Sequence, residues 1–218
     1  PPKPSTRSTT RYRFSRESIE SCKSLLDRRK HTTTTTSTRA RETPRNKEAT
    51  QCQAILATLK KKSPYPSVTF VDLITQTPTG QAIVLKGRMR GQEVAIKLFL
   101  REDDSFRVET RFLREAGSHP NIIPLLDAFE RPRQALVFPI ANPLAKLVEN
   151  RALPVHMAVQ YGKQILQGLV HLHSNGIAHL DLKCDNILLS ERNVAMITDF
   201  GMAQNFSGVE ELSRCGTP

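Results

Sequence analysis

No apolar run in this 218-residue chain approaches the roughly 18 residues that a transmembrane helix needs, so a helical membrane span is excluded. Cysteine is scarce. The four present, Cys22, Cys52, Cys184 and Cys215, have no metal-ligand spacing. Neither a zinc site nor a disulfide framework is indicated, and a reducing compartment, cytoplasm or nucleus, is the expectation. No signal-peptide pattern opens the chain, which begins on Pro rather than Met and reads as starting inside a longer one.

Acidic residues are nearly missing from one end. Residues 1–65 hold 16 Lys and Arg against 5 Asp and Glu, whereas residues 66–218 hold 16 of each. The basic excess therefore sits wholly in the first segment, which is Ser/Thr-rich ("HTTTTTSTRAR", 31–41) and poor in large apolar residues. Such a stretch buries too little surface to offset the entropy of ordering it. Residues 1–65 are thus expected to be a disordered basic tail. Two apolar islands, 18–26 and 52–60, can form helical turns, although isolated helices that short are marginal in water. A basic tail suits an acidic protein, nucleic acid, a membrane surface, a nuclear import signal, or simply a solvated linker. No aromatics alternate with the basic residues, so nucleic-acid binding has no specific support.

From about Ser67 the pattern becomes that of a folded domain. "AIVLKG" (82–87) and "EVAIKLFL" (93–100) predict a hairpin through "RMRG". Residues 103–117 predict a helix that Asp104 or Ser105 caps and Gly117 ends. Strands are expected around 122–129 and 135–138, then a long helix over 155–176 with apolar Val159, Ile165, Leu166, Leu169, Val170 and Leu172. "NILLS" and "VAMITDF" predict a short strand pair. The fold class is α+β, with two lobes.

Three motifs carry the chemistry: "VAIK" at 94–97 on a strand, "HLDLKCDN" at 179–186 after a helix, and "DFG" at 199–201 after a strand. In this order and context they resemble the eukaryotic-type Ser/Thr protein kinase family over about 67–218. The resemblance implies a smaller lobe over about 66–138 and the start of a larger helical lobe over about 139–218, truncated, as in a fragment of a longer kinase. It also implies ATP and Mg²⁺ as cofactors and protein Ser/Thr hydroxyls as substrates, since phosphoryl transfer needs charge neutralisation and in-line placement above all.

By the same resemblance, Lys97 binds the α- and β-phosphates. Glu109 on the following helix is its partner, unless Glu109 is merely an exposed helical charge. Asp181 orients the attacking hydroxyl and accepts its proton, and Lys183 steadies the γ-phosphate. Asp199 and Asn186 hold the metal ions, a suitable task for oxygen ligands. Gly80, Ala82, Ala95 and Leu188 line the nucleotide, the Pro139 carbonyl and Ala141 N–H meet adenine, and Phe138 guards the back pocket or packs in the core. Thr217 contacts Asp181 and Lys183, and Ser213 is either the activating phosphosite or a solvated loop serine. Cys184 is expected to be a packed thiol. The apolar residues of the 155–174 helix face further helices in the family.

Two departures matter. The glycine-rich pattern G-x-G-x-x-G survives here only at its third position: Thr75 and Thr77 replace the first two glycines, with Pro78 between Thr77 and Gly80. Fixed dihedrals and side chains there hinder backbone approach to phosphates. Leu180 stands where an Arg commonly precedes the catalytic Asp, and it cannot pair with a loop phosphate. Three readings follow: an active Ser/Thr kinase, a pseudokinase or scaffold with weak ATP binding, and a chain whose basic tail is the functional element.

Overall fold

The computed structural model describes residues 44–77, 80–101, 103–150 and 152–206. The expectations for the first 43 residues, Pro78, Ser213, Cys215 and Thr217 lie outside them. No helix among the described residues is long and apolar enough to cross a membrane.

Five strands form an antiparallel sheet: β1 (Val68–Gln76), β2 (Ala82–Met89), β3 (Gln92–Phe99), β4 (Asp127–Phe129) and β5 (Ala135–Pro139), in the order β1-β2-β3-β5-β4. The β2–β3 hairpin turns through Arg90 and Gly91, both at positive φ (52° and 81°), the backbone that a tight two-residue turn requires. The strand expected over 122–129 is shorter, because Pro124 lacks an N–H and Ile122 bridges in parallel to Ile197 instead.

Alternation along these strands separates two cores. Ile83, Leu85, Val94, Ile96, Leu98, Ala135 and Val137 point to one face. Ala82, Phe99, Leu136 and Phe138 point to the other. Successive side chains of a strand leave on opposite faces, so a sheet covered on both sides reads as a nearly unbroken apolar run. Lys97 shares the second face with Ala95 and Phe99.

What covers the first face corrects the tail expectation. Residues 44–61 form helix α1 (Pro44–Lys61), which takes in the 52–60 island expected to be able to turn helically and extends it toward the N-terminus. Cys52, Leu56 and Leu59, at spacings of four and three, are buried against the sheet together with Tyr65, Val68 and Phe70. Tyr65 anchors the connection: its hydroxyl donates to the Arg133 carbonyl at 2.9 Å, and its ring lies 4.9 Å from that of Phe129. An isolated helix of this composition is marginal, and the exposed sheet face supplies the burial that its own sequence lacks.

Helix α2 (Ser105–Ala116) covers the second face with Phe106, Glu109, Thr110, Phe112, Leu113 and Ala116. Its start is capped by Asp103, whose Oδ1 accepts the Ser105 N–H at 2.9 Å, and not by Asp104 or Ser105 side chains. Gly117 ends the helix at φ 65°, as expected.

Beyond Pro139 come β6 (Asn142–Pro143), α3 (Leu144–Asn150), α4 (Val155–Ser174), β7 (Ile177–Ala178), a 3-10 turn (Cys184–Asn186), β8 (Ile187–Leu189), β9 (Ala195–Ile197) and β10 (Gln204–Asn205). β8 lies between β6 and β9, and β10 pairs with β7. Helix α4 buries Tyr161, Gly168 and Leu172. Gly168 is needed there, because a Cβ would stand 2.9 Å from the Asn121 carbonyl oxygen and the Ile197 side chain. The other side of α4 leaves Val155, Val159, Leu166 and Val170 at 79%, 65%, 63% and 69% exposure, an apolar face such as the resemblance implied for this helix.

The burial of α1 makes it part of the domain's stability. Leu56→Ala should lower the unfolding free energy by about 2–5 kcal/mol, the usual range for emptying a buried leucine site. Chemical denaturation of the protein and its variant measures this; a change below about 0.5 kcal/mol would mean that α1 does not pack on the sheet.

Candidate active site

Three chain segments converge on one ammonium group. β3 presents Lys97 toward α2, and its Nζ lies 2.7 Å from Glu109 Oε2 and 2.8 Å from Asp199 Oδ1. Glu109 is only 1% exposed, on the apolar side of α2, so it is no free surface charge. Burial is the larger influence on its carboxyl and pushes it up to about 7 against the pull of Lys97. Burial alone would lower Lys97; the two carboxylates overcome it and hold the ammonium charged. Burial works to raise Asp199 as well, but Lys97 prevails and leaves that carboxyl below its usual range. Its side chain keeps 41% exposure and sits at φ 64°, a left-handed backbone that turns it back toward Lys97.

The second cluster lies on the loop after β7. Asn186 Nδ2 donates to the Asp181 carbonyl (2.8 Å) and to Asp181 Oδ2 (2.9 Å), and Lys183 Nζ reaches the same Oδ2 at 2.9 Å. The Thr198 N–H donates to the Asn186 carbonyl at 3.0 Å, which ties this loop to the residue before Asp199. With its amide nitrogen so engaged, Asn186 is left with its side-chain oxygen as a ligand atom. That oxygen and the Asp199 carboxylate form a donor set suited to a hard divalent cation.

His179 was not singled out from sequence, yet it positions both clusters. It is buried; Nε2 lies 2.9 Å from the Thr198 carbonyl, and Nδ1 accepts the Asp181 N–H at 3.3 Å. A carbonyl only accepts, so Nε2 carries the proton and the ring is neutral. Its ring also meets Phe200, which is wholly buried, at 5.0 Å and 65°. Phe200 thus pins the DFG segment to the core. The motif context, a His two residues before the Asp, was the available signal.

Ala82 is buried in the core beneath the sheet, and Ala95, Ala141 and Leu188 border it, half-exposed. Phe138 is buried there and Pro139 half-buried beside it. Gly80 sits at φ 66°, while a Cβ there would meet only ordinary contact, 3.6 Å from Gln76. The one glycine retained from the pattern is therefore the one whose dihedral demands it. Cys184 is exposed, not packed, whereas Cys52 is buried. Half-buried Leu180 adopts φ 61°. Arg111, on α2, is engaged by Asn205 Oδ1 at 3.0 Å and by Glu115 at 3.4 Å. That bond joins α2 to the segment after DFG, a pairing for which the sequence holds no local signal.

A protein kinase domain model matches residues 68–218. A probable serine/threonine-protein kinase of Dictyostelium discoideum is 37% identical over 136 residues, covering 56% of this chain and 8% of that protein. The serine/threonine-protein kinase TIO of Arabidopsis thaliana is 34% identical over 161 residues, 68% of this chain and 12% of that protein. Human mitogen-activated protein kinase kinase kinase 11 is 33% identical over 155 residues, 62% of this chain and 18% of its own length. The match thus spans less than a fifth of each of these relatives.

The buried neutral His179 has a pH signature. Burial lowers its pKa below the ordinary 6.5, so the unfolded chain takes up this proton first. Its contribution to stability is complete above about pH 6.5 and is lost as pH falls below it. Glu109, raised to about 7, acts oppositely over the same range. The observable is therefore the difference in melting temperature between the protein and His179→Phe. That difference should shift against the wild type as pH falls from about 6.5 to 5; parallel curves would show that His179 is not held neutral.

Proposed function

The chain belongs to the protein kinase family, and from that premise we propose that its site transfers the γ-phosphoryl group of ATP to Ser or Thr hydroxyls of protein substrates. The observation that carries this is the single ammonium of Lys97 held at 2.7 and 2.8 Å between Glu109 and Asp199. A lysine gripped on two sides is preset to meet polyphosphate, and in this family that pairing must be in place for activity. Asp199 and the Asn186 oxygen would hold Mg²⁺, which neutralises charge on the phosphates when bound.

Asp181 has the task of orienting the substrate hydroxyl and taking its proton. Its carboxylate is kept in one orientation by Asn186 and by Lys183. Positioning of this kind is the contribution that the geometry supports for this carboxylate. Lys183 also brings a cation to the same place, suited to the γ-phosphate and to Ser/Thr selectivity. The adenine ring is read by the Pro139 carbonyl and the Ala141 N–H, against Ala82, Ala95 and Leu188.

A second reading, a scaffold with weak nucleotide binding, is favoured by one feature only. The N–H groups of Thr77, Gly80 and Ala82 all bond within their own turn, to Ala82 O, Thr77 O and Thr77 Oγ1. The complete acidic and basic set at Lys97, Asp181, Asn186 and Asp199 favours catalysis.

In a complete catalytic domain, Lys97→Ala and Asp199→Ala should each lower Mg-ATP-dependent phosphorylation of Ser/Thr peptides by at least a hundredfold, or about 2.7 kcal/mol. Melting curves establish that the variants fold; phosphorylation that survives Asp199→Ala would remove the assignment. A further expectation concerns Leu180, which adds no cation beside Asp181, while Arg111 is already engaged. Ser213→Ala should therefore change turnover by less than about tenfold, and Leu180→Arg should lower basal activity and make it depend on Ser213 phosphorylation. Steady-state kinetics of the unphosphorylated and phosphorylated forms measure both; a larger loss in Ser213→Ala alone would show that another cation takes the phosphate.

A further inference from the structure

β1 and β2 remain paired through Gln76 and Ile83, so Thr77 and Ala82 are the next pair toward the turn. A regular antiparallel pair at that place exchanges two backbone bonds. Only one of them is present: the Thr77 N–H donates to the Ala82 carbonyl at 2.9 Å. The other is replaced. The Ala82 N–H goes to the Thr77 hydroxyl at 3.0 Å, and the hydroxyl donates in turn to the Ala82 carbonyl at 3.0 Å. The Thr77 carbonyl, released from Ala82, accepts the Gly80 N–H at 2.9 Å.

We propose that Thr77 sets how weakly this turn holds a nucleotide's phosphates, by standing in for its own carbonyl and so diverting the Gly80 N–H away from the ligand. The proposal rests on the nucleotide-binding reading above and deepens it. A glycine or alanine at 77 has no hydroxyl to satisfy the Ala82 N–H. The carbonyl of residue 77 would then return to that N–H, since a turn amide left unpaired is costly. The Gly80 N–H would be set free, at a left-handed glycine whose missing side chain lets an anion approach. With Thr77 present, the phosphates depend on the Lys97 side of the site, and ATP gains less over adenosine than a glycine would allow.

Thr77→Val keeps the shape and the β-branch while deleting the hydroxyl; Thr77→Ser keeps the hydroxyl. Calorimetric titration of the full-length protein with Mg-ATP and with adenosine separates phosphate binding from base binding. Thr77→Val should bind ATP roughly tenfold more tightly, the scale of one hydrogen bond to a charged group. Its adenosine affinity should stay within about twofold, and Thr77→Ser should match the wild type on both ligands. In the ligand-free protein, hydrogen exchange at the Gly80 amide should be faster in Thr77→Val alone. Unchanged or weaker ATP binding in Thr77→Val, with adenosine still bound, overturns the proposal, as does equal Gly80 exchange in all three proteins. Failure of every form to bind adenosine removes the nucleotide reading itself, and this proposal with it.

Discussion

A charged ammonium group 13% exposed at the foot of a sheet cannot stand alone, and most of the site's architecture follows from that constraint. Lys97 requires carboxylates, and the two it has come from α2 and from the loop after β9. Each of those carboxylates is itself costly to bury. Glu109 is tolerable only because Lys97 reaches it, and removing either member would leave the other as an uncompensated buried charge. The pair is therefore better understood as a position sensor for α2 and Asp199 than as a source of stability.

That constraint is relayed through backbone rather than through further charges. Asn121 accepts from Ile197 and Ile123 donates to it, so the segment after α2 is sewn to β9, two residues before Asp199. Asn121 also donates its side-chain amide to the Ala195 carbonyl at 2.9 Å, and Gln164 of α4 accepts the Ala195 N–H at 2.8 Å. His179 extends the same frame to the loop that carries Asp181. Helix α4, β9 and the approach to α2 thus form one frame on which the charged residues are mounted.

Much of this was legible in the chain itself. Strand alternation, the β2–β3 turn and Gly117 marked the elements, because each rests on local dihedral preference or on period. The three motifs marked Lys97, Asp181, Asn186 and Asp199. Helix α1 was not legible as folded, since its three described buried apolar residues amount to little until a sheet face is opposite them. The capping carboxylate was misplaced by one residue, because Asp103 and Asp104 are adjacent and only the entry angle of the chain chooses between them. Cys184, expected to be packed, is exposed for a similar reason: burial depends on what arrives from elsewhere in the chain.

The sequence by itself determined the kind of chemistry, because residue types at fixed spacing on known elements define which charges are available. Only the tertiary structure decided that Glu109 is the partner of Lys97, that α1 closes the outer face, and that the Thr77 hydroxyl replaces its own carbonyl. Those outcomes depend on approach distances of about 3 Å between atoms that can be more than a hundred residues apart, as Lys97 and Asp199 show at 2.8 Å. Local propensity carries no information on that scale; the packing of one covered sheet against two helices supplies it.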